Sequence, residues 1–270
     1  MNILVIGSLY QNFVSLIKNS KKDFKLFLAS NDISTDMPNI KYDSVNELVQ
    51  KAKILQIDIA INLDKNLIIE NINEAFKSNR INLISVNKKW LNLEFSRLTA
   101  KKLMEYYSIN FPKVISIPLS FPVIMKSDFP ELTLKISSKE ELINNLKQYE
   151  NTKTFFEEYL EGEKHSLVSL WDKKNLYLLN PPQNMTEVQK DRFDLMKTKL
   201  NFMLSDENAD FTGFFTTNLI WAKNDWYVDE FEMGGVNGGV NEGVNINTLL
   251  RQDILYILES ATYQKLNELE

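Results

Sequence analysis

The chain has 270 residues, with 31 Lys+Arg against 36 Asp+Glu and a formal net charge of −5. At ~150 residues per domain this suits one large domain or two small ones, and the mildly acidic balance disfavours nonspecific binding to a nucleic-acid backbone. With 16 Phe, 10 Tyr and 4 Trp the chain can bury a sizeable core; having no Cys, it can form no disulfide, thiolate metal site or Cys nucleophile, and a single His165 excludes multi-His metal sites.

The opening Met1-Asn2-Ile3-Leu4-Val5-Ile6 lacks the basic region of a secretory signal, and no apolar run reaches the ~18 residues of a membrane span. A cytoplasmic address without a membrane partner is the expectation. Asn2–Gly7 is an apolar run ending in glycine, which predicts a buried strand entering a turn. A helix follows around Asn12–Lys18, then a strand at Phe24–Leu28. Ser44–Ala52 predicts a helix, with Ser44 as cap and Glu47 three residues later in a capping-box pattern. Ile57–Asn62 is strand, Ile68–Ser78 helix and Ile81–Val86 strand. Strands alternating with helices at this spacing predict a doubly wound parallel sheet in roughly the first 90 residues. The turn after the first strand carries Gly7 alone, followed by Ser8-Leu9-Tyr10-Gln11, too few glycines for a dinucleotide cradle.

The remainder is patterned as α+β with antiparallel pairs. Lys101–Tyr107 predicts a helix, Phe111–Pro122 a linker, and Pro122–Lys126 an apolar strand ending in lysine. A helix over Ser138–Gln148, capped by Ser138 with Glu141 three residues on, precedes a strand at Thr154–Leu160. Ser166–Trp171 and Asn175–Leu179 form one hairpin; Phe214–Trp221 and Trp226–Glu232 form another, separated from the first by an amphipathic helix at Thr186–Leu200. Leu249–Lys265 closes as a helix whose Ile254, Leu255, Ile257 and Leu258 would either pack internally or meet a second copy, which leaves a homodimer open.

Three features could carry chemistry. Side chains two apart on a strand share a face, so Glu230 and Glu232 are expected together, on the face of Trp226 and Val228. Paired inward carboxylates call for a cation such as Mg²⁺, which carboxylates and phosphates commonly share; solvated acids at a strand end are the plain alternative. Lys126 is a candidate phosphate cation, against the commoner surface lysine. Five of the eight glycines fall at 234, 235, 238, 239 and 243, in a Gly-Val-Asn repeat over 234–245 whose amides could form an anion nest or merely a loop. His165 lacks a nucleophile partner and reads as structural or surface.

In this order the pieces resemble an ATP-grasp ligase, and within that superfamily the glycinamide ribonucleotide synthetases (phosphoribosylamine–glycine ligases). The opening Asn2–Ser8 matches their N-I-L-V-I-G-S strand. Leu93-Glu94-Phe95-Ser96-Arg97-Leu98-Thr99-Ala100-Lys101-Lys102-Leu103-Met104 resembles L-E-G-S-K-x-x-A-K-x-x-M. Pro122–Lys126 resembles P-V-V-V-K, and Glu157-Glu158-Tyr159-Leu160-Glu161-Gly162-Glu163-Lys164-His165-Ser166 resembles E-E-F-L-x-G-E-E-x-S. Phe211–Phe215 followed by Val228–Glu232 resembles the Y-T-G-F-L-Y hairpin that ends in V-L-E-F-N.

The resemblance implies a Rossmann-like pre-ATP-grasp domain over 1–90, a connecting helix and linker over 91–120, and an ATP-grasp domain over 121–270, with a small subdomain about 121–162 and a larger sheet about 163–270. It implies ATP and Mg²⁺ as cofactors. Arg97 and Lys126 would hold phosphates. Glu157, Glu158, Tyr159 and Leu160 would line the adenine hinge, Glu163 would be a further cofactor-binding residue, and the Glu that meets ribose in the family is replaced by Lys164. Glu230 would be a metal carboxylate, with Glu232 in place of the family's metal-binding Asn. It implies a carboxylate substrate activated as an acyl phosphate and attacked by an amine.

The departures are specific. G-S-G-G-R-E-H is here Gly7–Phe13, and the glycine-rich lid after the lysine is Ser127-Asp128-Phe129-Pro130-Glu131. The D-H-K-R and T-G-G-M-G loops are missing between Leu179 and Thr186. The S-K lysine is Arg97, the second Glu of G-E-E is Lys164, and the arginine after E-F-N is lost. The family's C-terminal domain has no counterpart in the sequence. An altered or reduced ligase site is expected, the alternative being a catalytically degenerate nucleotide-binding or scaffold protein.

Overall fold

A computed structural model describes residues 1–7, 11–30, 38–234 and 252–269. The first layer is a five-stranded parallel sheet of β1 (Asn2–Ile6), β2 (Lys25–Ala29), β3 (Asn39–Ile40), β4 (Ile59–Asn62) and β5 (Asn82–Ile84), in the order β3-β2-β1-β4-β5. Helices α1 (Gln11–Lys18), α2 (Val45–Ile54), α3 (Lys65–Ile69) and α4 (Ile72–Ser78) connect these strands. A central parallel strand is covered on both faces, and β1 shows why its sequence is unbroken apolar. Leu4 and Ile6 join a core with Leu48, Val49, Ile72 and Phe76 from α2 and α4. Ile3 and Val5 face the other way, into a second core. The doubly wound expectation holds.

That second core is completed from far along the chain. The last α-helix described, α9 (Ile254–Thr262), places Ile254, Leu255, Ile257 and Leu258 in it. The apolar face left open by the sequence therefore packs internally. Asp253 caps this helix through the Leu255 amide, and its carboxylate also accepts from the Ser20 hydroxyl and the Lys21 amide.

The linking helices are α5 (Lys88–Phe95) and α6 (Arg97–Tyr106), capped by Asn87 and Ser96. A small antiparallel sheet follows, ordered β6-β9-β7-β8, from β6 (Val114–Ile115), β7 (Val123–Ser127), β8 (Thr133–Ile136) and β9 (Thr154–Glu158), with α7 (Lys139–Gln148) alongside. The larger antiparallel sheet, ordered β11-β10-β12-β13, comprises β10 (Glu163–Asp172), β11 (Leu176–Leu178), β12 (Thr212–Ala222) and β13 (Asp225–Met233). Helix α8 (Glu187–Asp206) covers one face of it through Phe193, Met196, Leu200 and Met203. The architecture is thus a parallel doubly wound sheet followed by an α+β unit. Among the described residues no helix is long and apolar enough to cross a membrane.

Two glycines are fixed by close approach. A Cβ at Gly213 would sit 2.7 Å from the backbone of Ser85 and Val86, where β12 bridges to the end of β5 through a Ser85 amide to Thr212 carbonyl bond of 2.6 Å. A Cβ at Gly162 would lie 2.0 Å from the Trp221 carbonyl, at the entry to β10.

Several elements depart from expectation. The helix expected over Ile68–Ser78 is broken by Asn71, which takes a left-handed φ of 63°, a conformation short polar side chains tolerate. The linker region contains β6, and α5 and β8 were not anticipated. Ser44 and Ser138 do cap their helices, but Glu47 and Glu141 reach back to the amides of Asp43 and Ser137, one residue before the box position. The reciprocal box forms at Thr186 and Gln189. Leu249, the expected start of the last helix, lies outside the described residues.

Candidate functional site

The two antiparallel sheets meet at a buried cluster of charges. Lys126 projects from β7 with its side chain 1% exposed. Its Nζ lies 2.6 Å from Asp229 Oδ1, 3.3 Å from Glu157 Oε2 and 3.7 Å from Glu230 Oε1. Lys101, on α6, approaches the other Glu157 oxygen at 2.7 Å. Arg97 spends all five of its N–H donors locally: Nε and Nη2 on Glu230 Oε2 at 3.0 and 2.8 Å, Nη1 on the Ser127 and Leu132 carbonyls, and Nη2 also on Thr133 Oγ1. Arg97, Lys101 and Lys126 thus balance Glu157, Asp229 and Glu230, a neutral set joining α6, the small sheet and β13.

Charge removed from water is tolerated only when paired. Burial acts to lower both lysines, but with opposite outcomes. Lys126 ends above its ordinary value because Asp229, Glu157 and Glu230 surround it. Lys101 ends below its own: burial dominates, and the nearby Lys126 charge adds to it against the attraction of Glu157.

The register of β13 explains how the acids reach this point. Trp226 and Val228 are core residues, and so are Phe231 and Met233. A bulge between Asn218 and Leu219 of the paired strand leaves Asp229 as an extra residue, since Asn218 faces Glu230 while Leu219 faces Val228. Strict alternation predicts Glu230 and Glu232 on the face of Trp226 and Val228. The bulge reverses the phase, so the two glutamates do share a face, but the one opposite that core. It also brings Asp229 into the cluster.

Glu232 is held apart from the lysines. Asn218 Nδ2 donates to Glu232 Oε1 at 2.7 Å, and Ser166 Oγ donates to Asn218 Oδ1 at 2.7 Å. The hinge residues trail away from the cluster. Glu158 pairs with Lys223 and accepts from the Lys113 amide; burial would raise its carboxyl, but these partners hold it below its ordinary value. Lys135 lies 4.0 Å over the Tyr159 ring, Leu160 packs with Ile220 and Ala222, and Glu163 opens β10 as an exposed residue. His165 Nε2 lies 2.9 Å from the Asn180 carbonyl, with its pKa lowered by burial, so a neutral ring donates there in a structural role. The Gly-Val-Asn repeat beyond Gly234 and the turn at Ser8–Tyr10 lie outside the described residues.

The structure therefore gathers Arg97, Lys126, Glu157 and Glu230 into one network, sets Glu232 beside it, and leaves Glu158, Tyr159, Leu160 and Glu163 along the hinge. It adds Lys101, Asp229, Asn218 and Ser166. Lys101 stood in the matched A-K position. Asp229 was hidden by the bulge, which nothing in the local sequence signals. Among the described residues no group of three His, Cys, Asp or Glu side chains is arranged to hold a metal by itself.

No family model matches the sequence. Over 326 aligned positions the chain is 22% identical to a phosphoribosylamine–glycine ligase of Fusobacterium nucleatum, covering 100% of this chain and 75% of that one. The crystal structure of the Thermotoga maritima phosphoribosylamine–glycine ligase superposes with a TM-score of 0.73 at 16% identity, over 98% of this chain and 76% of that one. This chain has the ATP-grasp fold. A D-alanine–D-alanine ligase from Bacillus anthracis, solved with ATP, matches over 100% of both chains with a TM-score of 0.63 and 15% identity. Within the ATP-grasp fold the buried cluster lies where the small sheet and the larger sheet face each other. The chain spans about three quarters of the length of these phosphoribosylamine–glycine ligases, at low identity.

Proposed function

We propose that this chain binds ATP with a divalent cation in the cleft between the β6–β9 and β10–β13 sheets, and uses it as a carboxylate–amine ligase with an altered site. The observation that carries this reading is Lys126, a cation 1% exposed yet placed between two sheets beside a strand that presents Glu230 and Glu232. The donor set fits the group in one way. With no three-acid cluster among the described residues, a cation here would use Glu230 and Glu232 together with phosphate oxygens, the usual manner of Mg²⁺. When bound, the cation supplies charge neutralisation to the phosphates.

The chain's own groups have distinct tasks. Lys126 holds phosphate oxygens, and in phosphoryl transfer such positioning and electrostatics carry the catalysis. Arg97, with its donors spent, anchors Glu230 and couples α6 to β13 instead of holding phosphate itself. Asn218 and Ser166 fix Glu232. The backbone of Glu157–Leu160 is offered to the adenine, with Glu163 as a further nucleotide contact. Transfer of the terminal phosphoryl group to a small carboxylate, then attack by an amine with loss of phosphate, would be the reaction. The domain division at about residues 90 and 120 follows from this reading.

Calorimetric titration with ATP, with and without Mg²⁺, tests it. Metal-dependent binding that disappears in Lys126→Met is expected; no binding by folded wild-type protein overturns it. One observation favours a second reading, a nucleotide-binding or scaffold protein without ligase chemistry. The cations of the cluster are already neutralised, leaving no free positive charge there to meet a transition state. ADP release dependent on an acid and an amine, lost in Glu230→Gln, would reject that alternative.

A further inference from the structure

We propose that Asp229 is the exchangeable counter-ion of Lys126: it stands where a nucleotide phosphate would stand and yields the ammonium only to a polyphosphate that arrives with a divalent cation. The inference rests on nucleotide binding in this cleft.

The three carboxylates around Lys126 are not equivalent. Glu157 is buried and shared with Lys101. Glu230 is pinned by two bonds from Arg97. Asp229 is the nearest, at 2.6 Å, yet Lys126 is the sole partner of its carboxylate among the described residues. Asp229 and Glu230 are each 21% exposed, against 1% for Glu157, so water already reaches Asp229. It is the one partner that can swing out without orphaning a second cation. Its place on the bulge frees it further, because the extra residue is not locked in a strict cross-strand pair.

Charge balance sets the condition for exchange. The cluster is neutral, so adding a free polyphosphate would bury several negative charges against none in excess. A divalent cation travelling with the phosphates reduces that excess and draws Asp229 toward itself, away from Lys126. The ammonium stays charged throughout and changes partners from carboxylate to phosphate. A polyphosphate without the cation gains too little to displace the charge-assisted bond that Asp229 makes to an ammonium only 1% exposed. Asp229 thereby makes the cleft selective for the metal-bound polyphosphate.

The test is calorimetry with ATP in EDTA and with ATP plus Mg²⁺, on wild type and Asp229→Asn. Wild type should bind only with Mg²⁺. Asp229→Asn should bind ATP in EDTA about tenfold or more tighter than wild type does, because a neutral amide competes less for Lys126. Equal metal-free affinity of the two proteins, with wild type binding Mg-ATP normally, overturns the proposal while sparing the nucleotide reading. Failure of folded wild type to bind Mg-ATP overturns both. If Asp229→Asn does not fold, the carboxyl carbon resonance of Asp229 in Asp-labelled wild-type protein should move on saturation with Mg-ATP, and an unmoved resonance overturns the proposal.

Discussion

The parallel sheet and the seam between the antiparallel sheets are both largely buried, but opposite chemistry holds them. Around β1 the packed side chains are aliphatic or aromatic on both faces. Around Lys126 six formal charges form one neutral network, and Arg97, Lys101, Lys126 and Glu157 are almost wholly withdrawn from water. The first arrangement gains from every methylene buried and tolerates conservative change. The second gains little net stability from its pairs but loses heavily when one member is removed, because the remaining charge is stranded. Such an arrangement is hard to justify by stability and easy to justify by a ligand.

The sharpest way to expose this contrast is Glu157→Gln. It leaves Lys101 and Lys126 facing each other without their shared carboxylate, and should lower unfolding free energy by about 3–5 kcal/mol, read as a fall in urea midpoint. A drop no larger than that of a surface substitution would show the cluster to be wet and screened. Leu4→Ala in the parallel sheet should cost about 2–5 kcal/mol through lost burial and a residual cavity. Neither effect should change much between low and high salt, since charges this buried are screened little. Gly213→Ala attacks the seam between the regions. Its methyl must displace the Ser85–Val86 backbone, so about 1–3 kcal/mol should be lost, with exchange protection of the Ser85 amide reduced.

The smallest effect concerns a polar staple in the apolar half, the Asp253 carboxylate held by Ser20 and Lys21. Burial would raise the Asp253 carboxyl, but the Lys21 and Leu255 amides, the Ser20 hydroxyl and Lys22 outweigh it and hold its pKa below the ordinary value. Its stabilisation is therefore present above the unfolded pKa and lost as pH falls through the lower folded pKa. Asp253→Asn should remove about 1 kcal/mol at neutral pH and flatten the acid limb of a melting-temperature profile below about pH 4. An unchanged acid limb would detach the cap from the stability of α9.

What the sequence disclosed follows the same division. Period-two and unbroken apolar runs located β1, β4, β10, β12 and β13, because burial imposes them. The matched motifs located Lys126, Glu157 and Glu230. Asp229 was missed because a bulge reverses alternation without altering composition, and the facing of Trp226 was misassigned for the same reason. Helix α5 escaped because its caps are Asn and Ser within a polar run, with Trp90 and Leu91 as its inward residues. Arg97 matched a phosphate-binding position, yet its role changed once the acceptors around it were counted. Donor saturation is a property of neighbours in space, and the linear pattern does not carry it.

The contribution of α9 to the core beneath β1 has a consequence during synthesis. Ile3 and Val5 leave the ribosome early, while Leu255 and Leu258, which cover them, emerge some 250 residues later. Until then one face of the nascent parallel sheet has no complete cover. At bacterial-like translation speeds of about 5–20 residues per second, that face waits tens of seconds for its lid, long enough for a holding chaperone to bind it.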